Sequence, residues 1–153
     1  MSSAVTAILR PIPVPAPNVL RSDPAAQAFM LLRIAFTVAP ILFGLEKFAE
    51  VMIGDWPKYL APEFNDLIPG SAQDAMYIVG GVEIAAGLVV AISPRFGGLL
   101  VAAWLAGIIV SLLLVGGYAD IALRDFGLLL AALTLARLAS GYQGPAPEGR
   151  RTR

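Results

Sequence analysis

The chain has 153 residues, a length typical of a single domain. Its composition is 58% hydrophobic and only 14% charged, whereas a soluble domain carries roughly 25% charged residues, so most of its surface is predicted to face lipid. Lys plus Arg and Asp plus Glu both number 11, and neither Cys nor His occurs. This composition gives no sign of a nucleic-acid partner, and it excludes disulfides, thiolate chemistry and His-ligated haem, zinc or copper.

The N-terminal segment, residues 1–27, is predicted to be flexible, Pro-rich and cytoplasmic. Its apolar stretch before Arg10 is short for a signal peptide, and the Pro-rich run at 11–17 favours extended chain. The C-terminal residues 143–153 are rich in Pro, Gly and Arg and are predicted to form a disordered basic tail. The folded domain is therefore predicted to span residues 28–142.

Four apolar segments follow one another, at about 29–53, 75–92, 97–117 and 121–140. Each is close to the roughly 20 residues that cross a hydrocarbon core. A long loop at about 54–74 joins the first two, and short turns join the others, which makes neighbouring helices antiparallel. The predicted fold is all-α, an integral membrane four-helix bundle of up-down-up-down topology.

Positive charge is distributed unequally between the two ends of this predicted bundle. One side carries Arg10, Arg21, Arg33, Arg95, Arg137, Arg150, Arg151 and Arg153. The other carries Lys58, Arg124 and most of the acidic residues of the loops. Because cytoplasmic loops are enriched in Lys and Arg, both termini are predicted to be cytoplasmic and the long loop to lie outside.

Glu83 is the residue that most clearly departs from the apolar pattern. It lies near the middle of the second segment, where a charge costs several kcal/mol unless it is paired, hydrated or protonated. Gly80 and Gly87 share its helical face and are predicted to let another helix approach closely. Two interpretations are open, namely a proton, ion or ligand contact, and an ion pair that fixes helix packing.

Cations and acids on the other helices are the candidate partners of Glu83. Lys47 is predicted to reach Glu83 through its long side chain, and Arg33 lies on nearly the same face of the first helix. Arg124 and Asp125 either join this polar network or belong to the start of the fourth helix, where Asp120 and Arg124 form an i, i+4 pair.

The third segment carries a strip of small residues, Ala103, Gly107 and Ser111, at a spacing of four. Such small-xxx-small strips are helix-packing surfaces. We expect this strip to pack inside the bundle, and contact with another subunit is the alternative.

Four stretches carry a resemblance to a known family. They are FGLEKF at 43–48, GGVEIAAG at 80–87, PRFGG at 94–98 and YADIALRDFG at 118–127, together with Arg33. In this order and spacing the chain resembles the DoxX family of small bacterial membrane proteins over about residues 28–139. The resemblance implies a four-helix fold in the bacterial inner membrane, and its charged positions here are Lys47, Glu83 and Asp125, with Arg33 and Arg124.

The resemblance also implies a role beside membrane oxidoreductases, since the family takes its name from a subunit associated with a terminal quinol oxidase. The first hypothesis is a non-catalytic accessory subunit, with the bilayer and other membrane subunits or further copies of the chain as partners. The second is a small protein that binds a quinone or lipid through Lys47 and Glu83. A transporter or proton-path element ranks third. No enzyme activity, metal or tightly bound cofactor is expected.

Overall fold

The computed structural model describes residues 11–65 and 70–141, and within them the chain is helical and contains no strand. The helices are α1 (Pro17–Ser22), α2 (Pro24–Ala49), α3 (Pro62–Asn65), α4 (Ala72–Ile92), α5 (Pro94–Val115) and α6 (Ala119–Gly141), with a 3-10 turn at Pro57–Tyr59. The four long helices confirm the four predicted helical segments. The predicted tail at 143–153 and the first ten residues lie outside the described residues.

Helix α2 differs from its prediction at both ends. It starts at Pro24, directly after Asp23, whose side chain caps it by accepting a hydrogen bond from the Ala25 N–H. It ends at Ala49 instead of about residue 53, because Glu50 adopts a left-handed conformation with φ 50°. Part of the Pro-rich segment is also helical, in α1, and Ile12 within it is buried and donates its N–H to the Ile92 carbonyl.

The long helices form an antiparallel ring. Arg33 near the start of α2 contacts Ala91 near the end of α4, while Lys47 near the end of α2 contacts Glu83. Helix α2 packs most closely on α4 and α5 on α6, and α4–α5 and α2–α6 contacts close the ring. The α4–α5 connection is the single residue Ser93, and Gly97 of α5 packs against the Val90 backbone of α4, so the chain turns back on itself there.

The two ends of the bundle differ in charge and in the size of the apolar side chains buried there. The basic end holds Arg33, the α4–α5 turn with Arg95, and Arg137 of α6. The loop end holds the connection between α2 and α4 and the start of α6. The largest fully buried side chains, Phe29, Val90, Pro94 and Leu135, all lie in the half towards the basic end, so the apolar core does not extend evenly through the bundle.

Helices α2, α4 and α5 are long and apolar enough to cross a membrane. Their outward faces expose large apolar side chains, among them Leu31, Leu42, Ile78, Leu88, Leu113 and Leu114. Helix α6 is equally long, yet it carries four charged residues, Asp120, Arg124, Asp125 and Arg137. The described fold is therefore an all-α bundle with three candidate membrane-spanning helices, compatible with a multi-pass membrane protein.

Candidate functional site

Glycines bring α2 and α4 into backbone contact around the middle of α4. A Cβ atom on Gly80 would lie 2.8 Å from the Gly44 carbonyl oxygen, and one on Gly44 would lie 2.5 Å from that of Gly80. At Gly87 a Cβ would lie 2.7 Å from the Thr37 carbonyl. The packing predicted for Gly80 and Gly87 is thus confirmed, and it presses the α4 face that carries Glu83 onto α2.

The Lys47 Nζ and the Glu83 Oε2 form an ion pair of 2.7 Å between these helices. The two side chains are only 6% and 11% exposed, so both charges are withdrawn from the surroundings and neutralise each other. Glu83 lies 11 residues from the start of α4 and 9 from its end, roughly 15 Å from either end. The predicted contact between Lys47 and Glu83 is therefore confirmed, and its use as a ligand site stays a prediction.

Two tryptophans surround this ion pair. The Lys47 Nζ lies 4.1 Å from the centre of the Trp56 ring, a cation–π contact with a residue of the long loop. On α5, the buried indole Nε1 of Trp104 lies beside the Glu83 carboxylate, but it has no hydrogen-bond partner among the described residues. Trp104 lies as deep in α5 as Glu83 does in α4. Its position beside the ion pair accounts for a Trp so far from either helix end.

Glu46 fixes the loop that brings Trp56 to the site. This side chain is 6% exposed, and its Oε1 accepts the backbone N–H groups of Met52 and Ile53. Glu46 is thus the acceptor for the chain that follows the left-handed turn at Glu50.

Ser111 anchors the same loop to α5. Its hydroxyl accepts the Ala61 N–H at 3.0 Å and donates to the Tyr59 carbonyl at 3.3 Å. Tyr59 also packs against Trp56 and Tyr118, with ring centres 6.1 and 5.1 Å apart. The loop therefore folds onto the loop end of the bundle and covers the ion pair from that side.

The prediction that Ala103, Gly107 and Ser111 form one packing strip inside the bundle is wrong. Ser111 is buried beneath the loop, but Ala103 and Gly107 are exposed, and a Cβ on Gly107 would meet nothing within 4 Å. Small side chains at a spacing of four identify a helix face without fixing its direction, because α5 is apolar on every side. The part of this face near Gly107 points away from the bundle.

The structure does not bring Arg124 and Asp125 to the ion pair. Arg124 faces outward, with its side chain 77% exposed, and lies 3.6 Å from Asp120. This is the local i, i+4 pair that the sequence offered as the alternative. Asp125 is half-buried on the adjacent face of α6. The predicted network of Lys47, Glu83, Arg124 and Asp125 thus reduces to its first two members.

Arg33 lies at the other end of the bundle, far from Lys47 along the same helix. Its Nη2 donates to the Ala91 carbonyl at 2.6 Å, and its Nη1 is buried without a partner among the described residues. Beside it is a cavity of about 260 Å³. Arg33 therefore belongs to a second polar site, which the sequence pattern did not separate from the first.

No family model matches this chain, and no curated protein or solved structure is detectably similar to it. The resemblance to the DoxX family accordingly remains a prediction from the motifs. The interpretation of both polar sites depends on their geometry alone.

Proposed function

We propose that the chain is a multi-pass membrane protein of four spanning helices that serves as a non-catalytic accessory subunit of a larger membrane complex. In this proposal α6 crosses the bilayer with α2, α4 and α5. Its four charges are compatible with that role, because Asp120, Arg124 and Asp125 lie in its first seven residues and Arg137 in its last five. The uncharged stretch at 126–136 then occupies the bilayer centre.

The observation that carries the proposal is that the Lys47–Glu83 pair is neutral as a whole and shielded from its surroundings. Each charge neutralises the other, Trp56 covers the ammonium group, and the cavity of about 260 Å³ lies at the opposite end without touching either residue. A group that binds substrate or transfers protons needs a path to its surroundings. A paired and covered group instead supports a structural role in holding α2 against α4.

The outward face of α5 supports a partner subunit. Ala103 and Gly107 are exposed there, and a Cβ on Gly107 would meet no other side chain within 4 Å. Faces of such small residues let a second helix approach closely in lipid. The resemblance to DoxX accessory proteins points to a respiratory or other oxidoreductase complex of the bacterial inner membrane. Further copies of the chain would use the same face.

The test is site-specific cross-linking after extraction in a mild detergent. Since the chain has no cysteine, Gly107→Cys and Leu123→Cys each introduce a single thiol, and Leu123 on α6 is 72% exposed. We expect a stoichiometric partner to copurify and to cross-link through position 107 and not through position 123. A solitary monomer that retains one quinone per chain would contradict the proposal and favour the second hypothesis.

Membrane topology is tested separately. Reporter fusions after residue 60 and at the C-terminus are expected to lie in opposite compartments, with the loop outside and both termini in the cytoplasm. The same compartment for both fusions would show that α4, α5 and α6 do not all cross, and would contradict the four-span proposal.

A further inference from the structure

The cavity beside Arg33 opens on the outside of the bundle at its basic end. Five of its lining residues come from α2, one from the segment before α1 and one from α4. They are Met30, Arg33, Ile34, Thr37, Val38, Val14 and Ala91. Apart from Arg33 and Thr37 this lining is apolar, and it contains no acidic residue. A single cation thus lies at one edge of an apolar groove.

Only one of the two terminal nitrogens of the Arg33 guanidinium has an acceptor among the described residues. Nη2 donates to the Ala91 carbonyl, one of the last carbonyls of α4, which have no acceptor role within the helix. The guanidinium also lies 5.8 Å from the Phe29 ring. Nη1 remains buried with both hydrogens unused by any described residue. Leaving a buried donor without an acceptor is unfavourable, and more so for a charged group, so an acceptor that enters the groove and displaces the atoms covering Nη1 would satisfy it.

The depth of the groove identifies the kind of acceptor. Arg33 is level with Ala91, the residue before the last of α4, and Ile12 binds the neighbouring Ile92 carbonyl. The groove therefore lies at the rim of the bundle, where phosphate groups of the lipids would surround it. From this rim the apolar wall continues towards the middle of the bundle along Ile34 and Val38, which are 54% and 46% exposed.

We propose that this groove binds one anionic phospholipid. Its phosphate accepts hydrogen bonds from Arg33 Nη1, and an acyl chain lies against Ile34 and Val38. Guanidinium and phosphate form charge-assisted hydrogen bonds that are shorter and stronger than neutral ones, and the headgroup supplies the negative charge that the lining lacks. The site depends on the proposed membrane insertion, but not on the accessory-subunit role.

The test is native mass spectrometry of the detergent-solubilised chain with dioleoyl phosphatidylglycerol or dioleoyl phosphatidylcholine, which share their acyl chains and differ in headgroup charge. We expect the wild type to prefer phosphatidylglycerol. Arg33→Gln and Thr37→Glu are each expected to weaken its binding about tenfold, the effect of losing one charge-assisted contact. The new carboxylate of Thr37→Glu lies one turn from Arg33 along α2 and is expected to accept from Nη1. The hydrogen bond from Nη2 to the Ala91 carbonyl stays intact.

Arg137→Gln and Thr134→Glu are the matched controls, because both residues are exposed on α6 towards the same end of the bundle. Both are expected to bind phosphatidylglycerol like the wild type. Equal loss in the controls, or no loss in Thr37→Glu, would overturn the proposal, and Thr37→Glu alone decides if Arg33→Gln does not fold. Full displacement of the lipid by inorganic phosphate would instead assign a free-anion site and also overturn it. Recovery of the protein without detergent would refute the membrane insertion itself.

Discussion

The Lys47–Glu83 pair allows the sharpest test of how this bundle is held together. Lys47→Met removes the ammonium that lies 2.7 Å from the Glu83 carboxylate and leaves that carboxylate buried beside an apolar side chain. The expected loss is about 3 kcal/mol of unfolding free energy, at the lower end for breaking a buried ion pair. Glu83→Gln keeps an oxygen acceptor for Lys47, whose ammonium also retains the Trp56 ring at 4.1 Å. Its expected loss is smaller, about 1–2 kcal/mol.

The double variant removes both charges, so neither is left buried without a partner. Its loss is expected to be about 2 kcal/mol, well below the sum of the two single losses, which gives a coupling energy on the order of 2 kcal/mol. The measurement is equilibrium unfolding of the purified protein in mixed micelles, followed by circular dichroism. Additive losses would refute the structural role given to this pair.

An internal control is available at the loop end. Asp120 and Arg124 are 3.6 Å apart, but their side chains are 66% and 77% exposed. A double-mutant cycle on this pair is expected to give a coupling below about 0.5 kcal/mol, as for other exposed i, i+4 pairs. A Glu83/Arg124 cycle is expected to be additive, because Arg124 contacts Asp120 instead.

Two further outcomes follow from the packing and a third from the composition. Gly80→Ala is expected to lower stability by about 1–3 kcal/mol, since its Cβ would overlap the α2 backbone. Gly81→Ala is the control and should change stability little, because a Cβ there meets nothing within 4 Å. Equal effects of the two changes would contradict the close contact of α2 with α4. Ser111→Ala should cost about 1–2 kcal/mol by leaving the Ala61 N–H without its acceptor, and should speed proteolysis of the loop at 50–61; unchanged cleavage would contradict the anchoring role. Purified protein is expected to show no Soret band and no bound metal, because the chain has no His or Cys ligands.

The helices and the central pair were accessible from sequence for simple physical reasons. Long apolar runs must form helices if they lie in lipid, and a lone Glu flanked by glycines on one face predicts close packing with a cation nearby. Lys47 was the candidate with both a position on the neighbouring helix and a side chain long enough to reach.

The parts that were missed all depend on how the helices are rotated and where they end. Helices α4, α5 and α6 are apolar on most sides, so composition does not indicate whether Arg124 or Gly107 points inward. The end of α2 at Glu50 was hidden because apolar residues continue to Ile53. The roles of Glu46 and Ser111 depend on the loop returning to the bundle, and no local pattern announces a contact with a residue 50 positions away, as between Ala61 and Ser111.

The Lys47–Glu83 pair also constrains how the protein is made. Its members are 36 residues apart, so at translation speeds of about 5–20 residues per second the lysine leaves the ribosome roughly 2–7 seconds before the glutamate. Lys47 lies close to the end of α2 and can keep its ammonium at the membrane surface during that delay. Glu83 lies in the middle of α4, so its shorter side chain does not reach the membrane surface. If the helices insert as proposed, Lys47 is therefore already at the membrane when Glu83 enters it, and the two charges can pair as α4 packs on α2.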